Sequence, residues 1–317
     1  MKNILKLLFF GIVLFSGCKS PVVYVAGYDG DAVLWKNGVA QYLTDKTFRS
    51  QAHSVFVSGK DVYVAGEGEN EEGIWNAKLW KNGKEQNLTD GTDGTYATAR
   101  SIFVINNDVY VAGAMRRKDQ IYVSAVLWKN GNIQYLSNGT EHVEINSIFV
   151  GGNDVYVAAQ YDAFAAIWKN DKLELLADTG VSRAYSVYVK GNDVYVAGMD
   201  HHEAAVLWTN GVAQTLPDRT KHTAYATSVF VSDKDVYVVG NENRGLGIWT
   251  VALWKNGIAQ NLSDESKPMY VTSVFVVKND IYMAGMIDGV AALSKNGVVQ
   301  ILRSETPRAR VNSIFVK

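Results

Sequence analysis

Residues able to take part in binding or catalysis stand at one repeated place in the sequence, directly before the serine of a recurring Ser-x-Phe-Val segment. Histidine can exchange a proton near neutral pH, arginine can neutralise developing negative charge, and tyrosine can donate a hydrogen bond. The serine stays the same while the residue before it changes, which is typical of a ligand site carried on a regular framework. The changing residues are His53, Arg100, Asn146, Tyr185, Thr227, Thr272 and Asn312.

A second row of variable residues lies two positions earlier, with small residues such as Ala52 and Ala99 in between. Side chains alternate along a strand, so both rows are expected on one surface. Glycosidases need two carboxylates across a cleft, and this row supplies only Glu144. We therefore favour a binding pocket, and we expect no cofactor. The second row consists of Gln51, Thr98, Glu144, Arg183, Tyr225, Tyr270 and Arg310.

An enzyme is the alternative hypothesis. A polysaccharide lyase or glycosidase would draw acid, base and charge-stabilising groups from the same two rows. The candidates for those roles are His53, Tyr185, Tyr225 and Arg100.

Three longer connections each carry an aromatic residue that could stack on a sugar ring or on a partner protein. They are residues 67–76 with Trp75, residues 114–124 with Tyr122, and residues 241–251 with Trp249. The alternative is that each ring packs on its own hairpin or on a neighbouring unit.

Metal binding is not indicated. Asp200-His-His-Glu203 places four possible ligands in one short loop, but neighbouring residues of an extended chain point in opposite directions. The segment 89–95 superficially resembles a calcium-binding loop, but it lacks the alternating oxygen ligands and the terminal glutamate of such sites. We predict no metal site.

A repeat must position all these residues. The text Asp-Val-Tyr-Val-Ala-Gly recurs with small changes at about 40 to 50 residue intervals, which is typical of propeller arrays rather than helical repeats. The seven copies begin at Val22, Asp61, Asp108, Asp154, Asp193, Asp235 and Asp280.

Each unit is expected to form four antiparallel strands. Ser-x-Phe-Val lies innermost, followed by Asp-Val-Tyr-Val-Ala-Gly, Leu-Trp-Lys and Gln-x-Leu, because only the last connection is long enough to cross to the next unit. Recurrent Asn-Gly steps suit tight hairpin turns. The final strand, Ser313–Val316, is expected to pair with Val22–Ala26 and close a ring of seven. The fold prediction is an all-β, seven-bladed β-propeller.

Two sets of aromatic residues are interpreted as core, because each recurs at a fixed place in the unit. The first set is Tyr24, Tyr63, Tyr110, Tyr156, Tyr195, Tyr237 and Tyr282. The second is Trp35, Trp80, Trp128, Trp168, Trp208 and Trp254, with Ser294 at the seventh place.

Composition narrows the class of protein. The 317 residues are 47% hydrophobic, with a formal net charge of -1. Without a run of basic residues, nucleic acid is not an expected partner. We expect a monomer.

The first residues are expected to form a targeting signal rather than part of the fold, since Lys2 and Lys6 precede a short apolar run, Leu7 to Phe15. Ser16-Gly17-Cys18 resembles the lipobox of bacterial lipoproteins, which implies lipidation of Cys18. The predicted organisation is a signal peptide at 1–17, an anchor linker at 18–21 and the propeller at 22–317.

The repeat text, Asp-Val-Tyr-Val-Ala-Gly followed by Leu-Trp-Lys-Asn-Gly, resembles that of seven-bladed β-propeller repeat proteins among the envelope lipoproteins of Gram-negative bacteria. The resemblance implies a lipid-anchored protein of the cell envelope, at the outer membrane. No activity follows from the fold. Our leading hypothesis is a non-catalytic propeller that captures a glycan or an envelope protein, and a structural subunit of an envelope assembly is a further alternative.

The predicted strand order sorts the connections onto two faces. The tight-turn face carries the two short turns of each unit, and the variable face carries the longer connections. Only three residues separate Cys18 from the first strand, so we expect the tight-turn face near the membrane and the variable face pointing away.

Overall fold

The computed structural model describes residues 20–89, 91, 96–177, 179–217, 223–245, 247–260, 269–306 and 309–317. The predicted signal peptide and Cys18 lie outside these residues, so their assignment stays a prediction. Among the described residues, no helix is long and apolar enough to cross a lipid bilayer.

The described residues form 28 strands. The first half, in chain order, comprises β1 (Val23–Tyr28), β2 (Ala32–Lys36), β3 (Val39–Tyr42), β4 (Ser50–Ser58), β5 (Asp61–Glu69), β6 (Trp75–Lys81), β7 (Lys84–Asn87), β8 (Ala97–Ile105), β9 (Asp108–Met115), β10 (Ser124–Lys129), β11 (Asn132–Tyr135), β12 (Val143–Gly151), β13 (Asp154–Tyr161) and β14 (Phe164–Lys169). The second half comprises β15 (Lys172–Leu175), β16 (Arg183–Lys190), β17 (Asp193–Met199), β18 (Ala205–Thr209), β19 (Val212–Thr215), β20 (Ala224–Ser232), β21 (Asp235–Asn243), β22 (Trp249–Lys255), β23 (Ile258–Gln260), β24 (Met269–Val277), β25 (Asp280–Ile287), β26 (Val290–Lys295), β27 (Val298–Ile301) and β28 (Arg310–Val316).

The strands form seven antiparallel four-stranded sheets, which are the blades of a β-propeller. Blade one has the order β28-β1-β2-β3, and blades two to seven follow along the chain, each with its first strand innermost. Val23 pairs with Val316, and the amide of Val22 donates to the carbonyl of Lys317 at 2.7 Å. The predicted fold, strand order and ring closure are therefore confirmed.

The repeated serine joins each blade to the next. In every blade its hydroxyl accepts a hydrogen bond from a backbone N–H on the innermost strand of the following blade, as Ser54 does from Ile102 at 3.3 Å. The bond recurs around the whole ring and satisfies amides that the blades would otherwise leave unpaired. The other six bonds, each written as the donor amide and then the acceptor serine, are Ile148 to Ser101, Val187 to Ser147, Val229 to Ser186, Val274 to Ser228, Ile314 to Ser273 and Val55 to Ser313.

An aromatic ring from each innermost strand contacts the rings of both neighbouring blades, so that seven rings close a circle around the axis. Their centroids lie 4.6 to 5.0 Å apart in tilted contacts, a favourable aromatic geometry. The members of this circle are Phe56, Phe103, Phe149, Tyr188, Phe230, Phe275 and Phe315.

The repeated tryptophans fill the spaces between blades, as predicted. All six are at most 1% exposed, and each packs against the preceding blade, as Trp80 does against Tyr24 and Leu34. Six of the seven clusters between blades contain one of these indoles, and the cluster between blades six and seven contains none of them.

The two faces also match the prediction. The two tight turns of blades two to seven and the single tight turn of blade one all have two residues. The asparagines of the Asn-Gly turns have positive φ, such as 52° at Asn82. On the variable face, however, blades four and seven have equally short turns between their second and third strands, at Asp162-Ala163 and Asp288-Gly289. The longer connections between second and third strands on this face therefore belong to blades two, three, five and six.

Candidate functional site

Each variable residue directly before the repeated serine is the extra residue of a β-bulge. Ala52 pairs with Gly66 and Ser54 with Ala65, so His53 has no partner on the second strand. The same register shift occurs in all seven blades. A bulge turns one side chain out of the regular pleat, and here it places these side chains around the entrance to the channel.

The glycine of the repeat is a consequence of the bulge. A Cβ on Gly66 would lie 2.0 Å from the carbonyl oxygen of Gln51, which is far inside van der Waals contact. It would also lie 2.9 Å from Cζ3 of Trp80, so the glycine makes room for the indole. Only blade four departs from this pattern, with Ala159 at the equivalent position.

Four aromatic side chains form a continuous surface at the mouth, which we call the aromatic wall (Tyr185, Tyr225, Trp249 and Tyr270). The ring of Tyr225 is central, with centroid distances of 5.9 Å to Tyr185, 5.2 Å to Trp249 and 6.1 Å to Tyr270. All four side chains are half-buried. The structure thus brings together residues of blades five, six and seven that the sequence placed in separate units.

Protonated hydroxyl groups add polarity to the aromatic wall. Tyr225 donates a hydrogen bond to the hydroxyl of Tyr270. Burial, together with this bond, raises the pKa of Tyr225. Burial also raises the pKa of Tyr185, although nearby Arg183 opposes the shift. Both phenols therefore stay protonated at neutral pH and act as donors rather than as bases.

A polar edge borders the aromatic wall on the blade-four side. Arg183 Nε donates to Oε1 of Gln160 at 2.8 Å, which fixes the guanidinium beside Tyr185. Glu144 pairs with Gln160 in the sheet and is exposed. This edge presents one cationic and one anionic group close to the aromatic surface.

A second group at the mouth, the His53 cluster (His53, Glu67, Tyr96 and Arg100), lies on blades two and three. Nε2 of His53 is 3.2 Å from Oε1 of Glu67. Tyr96 Oη donates to Oε2 of Glu67 at 3.3 Å. The side chains of His53 and Glu67 are 8% and 7% exposed.

Burial sets the charge of His53, while neighbouring groups set that of Glu67. Burial lowers the pKa of His53 below its usual value, and the positive charge of Arg100 adds to the effect. Burial would raise the pKa of Glu67, but the contacts with His53 and Thr98 and the charge of Arg100 outweigh it and hold that pKa below its usual range. The cluster therefore holds an ionised carboxylate beside a neutral imidazole at neutral pH.

The other four predicted mouth residues use their side chains within the fold. Asn146 Nδ2 donates to the carbonyl of Ala184 at 2.9 Å, and Asn312 Nδ2 does so to Ala52 at 2.8 Å. The hydroxyls of Thr227 and Thr272 likewise donate to backbone carbonyls. These side chains connect strands and blades at the bulge.

Two of the predicted loop aromatics lie apart from the aromatic wall. Trp75 begins β6 and pairs with Glu69 on an extended hairpin, where the guanidinium of Arg49 lies 5.6 Å from its ring centre. Tyr122 is 42% exposed and makes an edge contact with His142 at 6.3 Å. Trp75 and Tyr122 therefore do not contribute to the aromatic wall.

Glu67, Tyr96 and Gln160 were missed by the sequence interpretation. A signal for two of them was available. The residue after Ala-Gly, or Ala-Ala in blade four, pairs directly with the second row, as Glu67 does with Gln51 and Gln160 with Glu144. Paired residues lie on the same face of a sheet, so this position also faces the mouth.

The Asp200–Glu203 segment forms a turn. Oδ1 of Asp200 accepts hydrogen bonds from the amides of His202 and Ala204, and the rings of His201 and His202 lie 3.8 Å apart. Across the part of the chain that the structure describes, no three His, Cys, Asp or Glu residues are grouped to hold a metal ion. Most of the calcium-like segment, 89–95, lies outside that part.

Comparison with known proteins supports the fold and leaves the family open. No family model and no curated protein matches the chain. A puromycin-hydrolysing peptidase of Mycobacterium tuberculosis matches with a TM-score of 0.60 and 11% identity over 89% of this chain and 53% of its own. The Pyrococcus horikoshii acylaminoacyl peptidase matches with 0.55 and 13%, over 90% and 51%.

The structure of YCF48 bound to D1 peptide matches with a TM-score of 0.54 and 12% identity, over 85% of this chain and 93% of that one. This chain spans about half the length of each of the two peptidases. At these identities the matches establish architecture alone. The chain is a seven-bladed β-propeller.

Proposed function

We propose that this protein is a non-catalytic binding propeller whose variable face captures a glycan at the aromatic wall. The observation that carries the proposal is the clustering of Tyr185, Tyr225, Trp249 and Tyr270 beside Arg183. The C–H faces of sugar rings pack on aromatic rings, while phenol and guanidinium groups suit sugar hydroxyls and carboxylates. A rigid ring of blades holds these groups in place before the ligand arrives, which lowers the cost of binding.

Binding is favoured over catalysis by the state of the candidate acids and bases. Tyr185 and Tyr225 have raised pKa values and are poor bases. His53 is buried and its carboxylate neighbour Glu67 is already engaged by Tyr96. A lyase or glycosidase needs a base or a carboxylate pair free to reach the substrate.

A peptide is the second candidate ligand. The solved propeller YCF48 is bound to a D1 peptide and matches this chain over most of both lengths. The exposed Glu144 beside the fixed Arg183 could pair with charged side chains of an extended peptide. In that case the partner is a protein of the same compartment.

The proposal includes a lipid anchor at Cys18, at the bacterial outer membrane, with the tight-turn face near the lipid. The described chain enters the fold at Val22, which pairs with Lys317 at the tight-turn end of the first sheet. A short linker from Cys18 to Val22 leaves the aromatic wall on the opposite face, accessible to a ligand.

The test is a glycan array probed with the mature protein, with Trp249→Ala and with Trp75→Ala as matched control. We expect binding to specific glycans that is lost in Trp249→Ala and kept in Trp75→Ala, because only Trp249 belongs to the aromatic wall. Equal glycan binding by Trp249→Ala would refute this site. If no glycan on the array binds, but the protein captures peptides and Trp249→Ala does not, the result would favour the peptide as ligand. Turnover of a bound polysaccharide would favour the enzyme, and loss of an envelope complex with neither ligand would favour a structural subunit.

A further inference from the structure

The seventh blade lacks the indole that fills the space between blades everywhere else. Ser294 occupies the position held by tryptophan in the other six blades. It pairs with Met283 on the second strand, where blade two pairs Trp80 with Val64. Methionine is longer than valine but does not replace an indole, so the change from tryptophan to serine removes more volume than the change from valine to methionine restores.

The described residues leave a cavity of about 480 Å³ at this place. Its walls come from Val251 of blade six and from Met269, Met283, Met286 and Val299 of blade seven. A volume of this size lies within the range of small-molecule sites, roughly 300 to 1,000 Å³.

The chemistry of the cavity is specific. Three methionine side chains line it, and thioether sulfur makes favourable contacts with aromatic rings. Ser294 Oγ lies in its wall, is buried, and has no hydrogen-bond partner among the described residues. A buried hydroxyl without a partner is costly, and a polar atom on a bound molecule would remove that cost.

The other blades show which shape fits this space. In blade two the indole of Trp80 lies beneath Gly66, with Cζ3 2.9 Å from the position of a glycine Cβ. Blade seven keeps the glycine, Gly285, whose Cβ would meet the carbonyl oxygen of Tyr270 at 1.9 Å. Blade seven keeps the same bulge and the glycine opposite it, so its backbone follows the course found in blade two, while the side chain that fills the space there is absent.

We propose that the cavity between blades six and seven binds a planar aromatic small molecule of the indole class, carrying one hydrogen-bonding group for Ser294. The ligand takes the place that tryptophan occupies in the other blades. This site is separate from the proposed glycan site, although Tyr270 contributes to both.

Indole titrated into the purified protein tests the proposal, with methyl resonances of the methionines as reporters. We expect saturable shifts for Met269, Met283 and Met286, and none for Met115 and Met199, which lie in blades three and five. We also expect the unfolding temperature to rise by about 2 °C at an indole concentration ten times its dissociation constant. Absence of saturable shifts would overturn the proposal, as would equal shifts with cyclohexanol, which is not planar.

The matched variant is the double substitution Met283→Val with Ser294→Trp, which recreates the pair found in blade two. We expect this variant to lose indole binding and to unfold at a higher temperature than the free wild-type protein. Ser294→Leu, which fills part of the cavity, is the second variant, and it should weaken indole binding at least tenfold. Undiminished binding in either folded variant would overturn the site, while Trp249→Ala should leave indole binding unchanged.

Discussion

The hydroxyl groups of Tyr225 and Tyr270 are hydrogen-bonded to each other across the boundary between blades six and seven. Through this bond, two consecutive blades share one surface at the channel mouth. The ring of Tyr225 also contacts Tyr185 and Trp249. The aromatic wall is therefore a property of three adjacent blades rather than of any one repeat.

The Tyr225–Tyr270 bond should contribute measurably to stability. Tyr270→Phe removes one hydroxyl and should lower the free energy of unfolding by about 1 kcal/mol. Denaturant unfolding of Tyr225→Phe, Tyr270→Phe and the double variant will show whether the two effects are coupled. Tyr122→Phe, on an exposed ring, is the control and should be neutral. Additive losses in the double variant would contradict a direct bond.

Stability should fall as the pH drops below about 6.5, the ordinary pKa of histidine, through the contribution of His53. The folded protein holds the pKa of His53 below that value, so the unfolded chain takes up the proton first. The stability that neutral His53 contributes is fully present above the pKa of His53 in the unfolded chain. It is lost as the pH falls toward the pKa of His53 in the folded protein. His53→Gln should remove this part of the dependence, measured as the free energy of unfolding between pH 7.5 and about 5. An unchanged slope would mean that His53 does not titrate in this way.

The hydrogen bond that the repeated serine accepts from the next blade should contribute most to stability where it is best buried. Ser228→Ala leaves the amide of Val274 without its acceptor, which lies 3.2 Å away, in a buried setting. We expect a loss of about 1 to 3 kcal/mol in the free energy of unfolding. Ser20→Ala, at an exposed position, should have no effect. Equal stability of the two variants would show that the amide finds another acceptor.

The glycine opposite the bulge in blade two should not tolerate a side chain. Gly66→Ala places a Cβ 2.0 Å from the backbone oxygen of Gln51, and neither atom belongs to a flexible side chain. We expect destabilisation by about 3 kcal/mol or more, measured by thermal unfolding. In blade four Ala159 occupies the equivalent place, and Ala159→Gly should change stability by about 1 kcal/mol or less. A neutral Gly66→Ala would mean that the bulge can relax.

The proposed orientation on the membrane can be tested with single cysteines on intact cells. A cysteine at Ile121, which is 81% exposed on the variable face, should react with a non-permeant reagent. A cysteine at Lys84, on the tight-turn face, should react less. The reverse pattern would refute the orientation, and release of the protein from membranes by Cys18→Ser would support the lipid anchor.

The architecture could be predicted from the sequence because the same pattern of strand and turn residues recurs in seven units. Asn-Gly steps require positive φ, period-two apolar runs require half-buried strands, and one long connection per unit sets the strand order. The positions of His53 and Trp80 within a blade follow from that pattern. The bulge could not be predicted from that pattern, because a register shift depends on how two strands pair. The repeated glycine, Gly66 in blade two, was the one residue in the pattern that the bulge of that blade requires.

The sequence by itself determined the blade, the number of blades and the residues that ring the channel, since these depend on contacts within one unit or between equivalent units. Only the tertiary structure decided which of those residues act together. Tyr185, Tyr225, Trp249 and Tyr270 converge, whereas Asn146 and Asn312 turn to backbone carbonyls. The cavity beside Ser294 likewise exists only between two blades. Side-chain direction at a bulge and the space between packed sheets are set by neighbours distant in the chain, and a local pattern does not encode them.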